Sequence, residues 1–307
     1  METRRLEIYV ALVDEGSFSK AAQKFYISQP ALSQQISRLE KELGAKLIDR
    51  SARQLTQTAV GKRFYIECKK LLACALDIEQ LFSDGQHGRI GRVRLGLTPS
   101  LRYGRMPSVI KKYTDAHPNV EADLFFEATS QLVEMLECGQ IDVAIMLTEP
   151  ELEGLTSKPL FADPYVVVVP DDHPLATEEK VSFRQLRGEL LISIPRINAP
   201  ENHDALVSGC LQAGFSPRGP VVSGSYIDHV SLTSAGKGLS FIPSSMAKLN
   251  MENILYKELV DPVVFANVTI CWFPERTDFV LEAFVEHCFA EFAVGDEEEV
   301  GHLASLM

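Results

Sequence analysis

Ser28-Gln29-Pro30-Ala31-Leu32-Ser33-Gln34-Gln35-Ile36-Ser37-Arg38-Leu39 is the stretch that decides the fold. It reads as a helix with two unlike faces. Ser28 can cap the N-terminus, and Pro30 fits the first turn, where its missing N–H costs nothing. Leu32, Ile36, Leu39 and Leu43 recur at helical spacing and predict one apolar stripe. The opposite face carries Gln29, Ser33, Gln34, Ser37 and Arg38 in place of the Glu/Lys mixture of an ordinary solvated face. Gln and Arg bond base edges bidentately in a major groove, and Ser reaches a base or a phosphate.

Phe18 to Phe25 predicts a second short helix just upstream, with Ala21-Ala22 allowing close approach and Tyr26-Ile27-Ser28 as the turn. Two helices, a tight turn and a polar second helix make a helix-turn-helix. Leu6, Tyr9, Val10 and Val13 predict a first helix packed beneath both. Downstream, Gly44 stops the helix. Short apolar patches then flank Arg50 and Arg53, which reads as a hairpin wing with arginines facing phosphates.

The chain has 307 residues and 46% apolar composition, enough for two or three domains of about 100–150 residues each. No apolar run is long enough to span a membrane and no signal-type stretch opens the chain, so a cytoplasmic location is expected. The net charge of −12 divides unevenly. Through Arg63 there are 11 Lys/Arg against 7 Asp/Glu, a net +4, and the remainder carries −16. A basic head on an acidic body confines attraction for nucleic acid to one end. The six cysteines are scattered without a C-x-x-C pair, which argues against structural zinc and fits a reducing compartment.

From Ala11 to Gly61 the sequence resembles the LysR-type transcriptional regulators. The resemblance rests on Gly16-Ser17-Phe18, Ala21-Ala22, Ser28-Gln29-Pro30-Ala31-Leu32-Ser33, Ile36, Leu39-Glu40, Leu43-Gly44, Leu47-Ile48, Arg50-Ser51, Thr58 and Gly61. Gln57 stands where the family pattern has leucine, and Val60 where it has alanine. The expected DNA contacts are Ser17, Ser19, Gln29, Pro30, Ser33, Gln34, Ser37, Arg38, Arg50, Arg53 and Thr58.

Val60 to about Phe82 predicts one long helix. Phe64, Cys68, Leu71, Ala75, Ile78 and Phe82 form a heptad seam that one helix cannot bury alone, so a dimer is expected. In LysR-like proteins this linker pairs with its twin, which implies a homodimer and, beyond it, a homotetramer. Ser83 to Gly88 reads as a polar hinge.

The body alternates strand and helix. Val93–Leu97 predicts a strand running into Thr98-Pro99-Ser100, which caps a helix through about Ala116. Val120–Phe126 is the next strand, Thr129 caps a helix Ser130–Cys138, and Ile141–Ile145 is a third strand. This order gives a parallel sheet whose ligand crevice lies at the strand C-termini. A second unit begins with the strand Tyr165–Val169. It continues with Leu190–Ile194, a loop through Asn198, a helix from about His203 to Ala213, a helix starting near Tyr226, and the strand Gly238–Pro243. Val268–Phe273 and a helix Asp278–Phe292 return to the first unit. Asp296–Glu299 reads as a solvated tail.

The expected class is therefore α+β: an N-terminal winged helix-turn-helix (1–59), a linker helix and hinge (60–88), and a two-lobed α/β effector domain like periplasmic binding proteins (89–307). Lobe I takes 89–162 and 266–307; lobe II takes 163–265. Thr98, Ser100, Thr129, Asn198 and Tyr226 converge on the crevice, and the resemblance places effector contacts at corresponding loops. Helix N-termini there favour a carboxylate or another anion, so a small anionic or polar-aromatic effector is expected. No Walker loop, G-x-G-x-x-G after a strand, G-x-S-x-G elbow or H-E-x-x-H occurs. No catalytic residue, metal site or cofactor is expected. The alternative is a redox-sensing regulator of the same architecture, with Cys210 as its candidate thiol; core packing is the simpler role for that residue.

Overall fold

The computed structural model describes residues 3–49, 55–87, 91–147, 149–150, 152–196, 200–222, 225–249 and 251–293. Arg50, Arg53, Asn198 and the acidic tail lie outside them. The chain divides into two compact units, residues 1–90 with 134–141, and residues 91–133 with 142–307.

The first unit begins with α1 (Thr3–Glu15), α2 (Phe18–Lys24) and α3 (Gln29–Leu43). Ser17 caps α2 by accepting from Lys20 N–H, and Ser28 caps α3 by accepting from Ala31 N–H. Gly44 ends α3 in the left-handed conformation at φ 66°. Leu32, Ile36 and Leu39 are fully buried against Leu6, Tyr9 and Leu12 of α1, whereas Leu43, at the end of the expected stripe, is 40% exposed. The wing follows as β1 (Ile48–Asp49) and β2 (Thr56–Gln57), paired antiparallel.

Glu40 ties the wing to α3. It is 2% exposed, and its carboxylate accepts Leu47 N–H (2.9 Å), Ile48 N–H (3.2 Å) and the Lys46 ammonium (3.1 Å). Burial pushes its pKa up, but the Leu47 and Ile48 amides and Lys46 outweigh that and hold it below the ordinary 4.5. The two departures from the family pattern have physical explanations. Gln57 donates to Tyr9 Oη (3.2 Å), which itself donates to the Gly61 carbonyl (2.8 Å), so an amide fills the leucine position with its polar atoms bonded. Val60 is 56% exposed, so its extra methyls are not forced into a packed core. Gly61 is obligatory, because a Cβ there would lie 2.1 Å from the Leu47 carbonyl oxygen.

One helix, α4, runs Ala59–His87. The expected hinge is therefore helical through His87, since a lone Gly85 costs a helix interior only about 1 kcal/mol relative to alanine. The heptad seam has two uses. Cys68 is buried and Phe64 packs with it in the core of the head, while Leu71 is 45% exposed.

The second unit holds β3 (Gly91–Leu97), α5 (Met106–Ala116), β4 (Val120–Phe126), α6 (Thr129–Glu137, whose last residues fall in the first unit), β5 (Val143–Met146), β6 (Thr156–Pro170), β7 (Lys180–Ser182), β8 (Leu190–Ser193), α7 (Pro200–Gln212), β9 (Arg218–Val222), α8 (Tyr226–Ser234), β10 (Leu239–Pro243), β11 (Ile254–Val260), β12 (Phe265–Trp272) and α9 (Phe279–Ala293). Strand order is β4-β3-β5-β12-β6-β10-β8-β9, with β11 and β7 branching from β6. β3 is parallel to both β4 and β5, as the alternation predicts. β6 was expected from Tyr165; it starts at Thr156 and belongs to both lobes, pairing with β12 before Tyr165 and with β10 and β11 after it. The sequence reading missed β7 and β11.

Glu40→Ala removes the acceptor of two buried amides and should cost the head about 1–3 kcal/mol. Because the folded pKa is depressed, Glu40's contribution is complete above the ordinary carboxylate range and is lost as pH falls below 4.5. Urea melts of wild type and variant should therefore converge on acidification; a constant gap from pH 7 to pH 3 would show that the charge contributes nothing.

Candidate functional site

Two groups of polar side chains bear on function. The first lies on α3. Gln29, Pro30, Gln34, Ser37 and Arg38 are exposed and Ser33 is half-buried, so the polar face stands outward as its spacing requires. Arg38 lies 3.5 Å from Glu42, one turn on, and Glu42 is also gripped by Arg5 at 2.5 Å. Ser19 Oγ donates to Gln29 Oε1 at 3.4 Å, which links the start of α2 to the start of α3. Ser17 and Thr58 have internal work. Ser17 is the α2 cap, and Thr58 donates to the Lys46 carbonyl (2.7 Å) and accepts Gly61 N–H (2.9 Å). Thr58 thus fastens the wing to α4 with both capacities of its hydroxyl.

The second group lies in the α/β unit, at the C-terminal ends of β3 and β4. Leu97 and Phe126 are neighbours in the ladder, so the segments that follow them leave the sheet side by side. Thr98 and Ser100 differ from their expected role. A short 3-10 turn, Pro99–Arg102, follows β3, and α5 begins only at Met106. Gly104, at φ 78°, breaks the path between them. Thr98 makes no capping hydrogen bond. Thr98 is 6% exposed and Ser100 7%, and both hydroxyls are buried without a hydrogen-bond partner. Buried hydroxyls are ordinarily bonded, and leaving one unpaired costs about 1–3 kcal/mol.

Thr129 is the first helical residue of α6, because Gln131 and Leu132 N–H already bond the Ala128 carbonyl. It is half-buried. The loop after β3 meets lobe II directly: a Cβ on Gly104 would fall 2.6 Å from Ser245 Cβ. Ser245 N–H and Ser244 Oγ, in turn, donate to Asp163 (3.3 and 2.7 Å) on β6. Asp163 is 5% exposed, and burial raises its pKa despite these bonds.

Across from it, Tyr226 opens α8 behind the Ser225 cap. It is 8% exposed, and its hydroxyl meets Tyr165 Oη at 2.7 Å. His229, one turn on, is 1% exposed, with both ring nitrogens outside hydrogen-bond geometry. Burial pulls its pKa to about 4 against the weaker pull of the Phe241 backbone, so the ring is neutral at pH 7. Sequence reasoning missed Asp163, Tyr165 and His229. Each sits in an apolar run or an unremarkable helix, and only burial singles it out. The two arginines nearest in sequence are engaged: Arg102 lies over Phe126 at 4.3 Å, and Arg196 pairs with Asp204 at 2.7 Å.

Cys210 is 1% exposed, and burial raises its thiol to about 11. Cys68, Cys138, Cys271 and Cys288 are likewise buried and raised, which leaves Cys74 as the exposed thiol. A reactive thiol needs exposure and a lowered pKa, and Cys210 has neither. Among the described residues no cluster of three metal-binding side chains occurs, and no helix is long and apolar enough to cross a membrane.

The bacterial regulatory helix-turn-helix profile of the lysR family matches residues 3–62, and the LysR substrate binding domain profile matches residues 86–293. The chain belongs to the LysR family of DNA-binding transcriptional regulators with an effector-binding domain. It is 29% identical over 285 residues to the regulator AlsR of Bacillus subtilis, covering 93% of this chain and 94% of AlsR. It is 32% identical over 271 residues to BenM of Acinetobacter baylyi, covering 85% and 86%. The crystal structure of CbnR, a LysR family regulator, superposes with a TM-score of 0.78 at 23% identity, covering 95% of this chain and 99% of that one.

Hydroxyls buried without a hydrogen-bond partner contribute nothing favourable to folding. Thr98→Val with Ser100→Ala should leave the denaturation midpoint of the ligand-free chain unchanged or raised. If instead they were structural caps, each loss would cost about 1 kcal/mol. A drop of that size would assign both hydroxyls to the fold.

Proposed function

We propose that this regulator reads DNA with the N-terminal half of α3 and responds to a small anionic or polar-aromatic effector held between the two lobes. The unpartnered, buried hydroxyls of Thr98 and Ser100 carry the effector half of this reading. Together with Thr129 in the first turn of α6, they place hydroxyl donors at the C-terminal ends of β3 and β4, and a carboxylate is the group that accepts several at once. Asn198 and Tyr226 are proposed from the opposite lobe. Tyr226 would act through the hydroxyl pair it shares with Tyr165, and the His229 ring packed edge-on against Tyr226 is neutral and adds no positive charge at that point. The donor hydroxyls of lobe I and the tyrosine pair of lobe II suit a ligand with its anionic end towards Ser100 and an aromatic end towards lobe II.

In the head, Gln29, Pro30, Ser33, Gln34, Ser37 and Arg38 are assigned to the major groove, with Ser19, Arg50 and Arg53 on phosphates. Ser17 and Thr58 support these contacts as caps. The exposed Leu71 marks α4 as the dimer contact, and a homotetramer would assemble from such pairs. A DNA-binding role supports a cytoplasmic location. No step here calls for a catalytic group or a cofactor.

The effector reading is tested by Ser100→Val with Thr129→Val. Small carboxylates screened by thermal shift should stabilise the wild type, by about 2.7 kcal/mol at 100 times the dissociation constant. The variant should fold and bind DNA yet lose the shift; an unchanged effector affinity would move the site elsewhere. For the groove, Gln34→Ala should cost about 1–3 kcal/mol on DNA selected by the wild-type chain and little on random duplex. Equal losses on both would show that Gln34 faces the backbone.

A further inference from the structure

The turn between α2 and α3 uses tyrosine where glycine would serve. α2 closes with two paired hydrogen bonds, Ile27 N–H to the Ala22 carbonyl and Tyr26 N–H to the Gln23 carbonyl, both 3.1 Å. That closure requires a left-handed residue at the second position, and Tyr26 has φ 56°. Glycine adopts this conformation freely, whereas a bulky side chain crowds its own backbone there. Burial could offset the strain, and the neighbours do turn inward: Phe25 and Ile27 both pack against the head's core. Tyr26 turns outward and is 96% exposed, with no hydrogen bond from its hydroxyl among the described residues. The fold therefore gains nothing from this side chain and is strained by its backbone.

Position supplies the missing reason. The residues directly after Ile27 are Ser28, Gln29 and Pro30, all exposed, which open α3. Tyr26 stands two residues before the Ser28 cap of the helix end assigned to the base edges, on the side where a duplex in that groove would present its sugar–phosphate rail. A phenol suits that rail. Its O–H donates to a phosphate oxygen, tyrosine is among the side chains that make such contacts, and its ring can lie against deoxyribose. We propose that Tyr26 is a DNA-contact residue that bonds a backbone phosphate beside the groove entered by α3. The assignment rests on the groove reading of α3 and extends it to a residue on which the major-groove face does not depend.

The test uses the full-length chain, a duplex selected by the wild type from a random pool, and an unselected duplex. Tyr26→Phe should bind both about tenfold more weakly, the loss expected of one hydrogen bond to a charged group. The slope of log affinity against log salt should not change, because the phenol is neutral and its loss alters no counterion release. Tyr26→Gly suits the left-handed turn, so it should melt above wild type and still lose DNA affinity at least as far as Tyr26→Phe. Wild-type affinity in Tyr26→Gly would overturn the assignment, and so would a loss confined to the selected duplex, which would mark a base contact. Failure of the wild type itself to bind any duplex would overturn the groove reading and this assignment with it, before any substitution is made.

Discussion

A β-strand cannot leave its amides and carbonyls unpaired in a protein interior, and β6 satisfies its own in two different sheets. Residues Thr156 to Pro164 bond β12, and Tyr165 to Pro170 bond β10 and β11. One continuous strand therefore joins the two lobes. Asp163 sits at the crossover, where its buried carboxylate holds Ser244 and Ser245, and Ser245 presses on Gly104 in the other lobe. Any change in the angle between the lobes must be absorbed near this junction. The loop pressed there is the one that continues from Thr98 and Ser100. If the proposed effector binds at those hydroxyls, that loop is its shortest covalent path to the junction.

The head was legible because its signals are local. Capping serines, a stripe at helical spacing and a left-handed glycine fix three helices without long-range information, and all three appear where the pattern put them. Glu40 was not legible as a clamp, since a glutamate in a helix ordinarily reads as solvent-facing; its partners are amides several residues beyond the helix end. Phe64 and Cys68 fit a heptad seam and a core stripe equally well, and periodicity alone cannot say which partner covers them.

In the body, the alternation of elements gave the parallel order, but β6 was truncated because Pro159, Asp163 and Pro164 argue against a strand interior. The chain accommodates Pro159 at a register shift opposite Val268 and Thr269. Thr98-Pro99 carries the local signature of a helix start, and the structure honours it with only a 3-10 turn before Gly104 redirects the chain. In that turn neither the Thr98 nor the Ser100 hydroxyl has a hydrogen-bond partner. Asp163 and His229 were invisible for a different reason: nothing in a linear sequence reports which polar side chain will be buried.

The central claim joins a basic, groove-reading head to a paired α4. Selection of duplexes from a random pool by the full-length chain tests it most directly. Two heads tethered through α4 should enrich a two-fold symmetric pair of half-sites separated by whole turns of the duplex, about 10 base pairs or a multiple. Enrichment of a single unpaired half-site would contradict the tether, and no enrichment over the starting pool would contradict sequence-specific reading by α3.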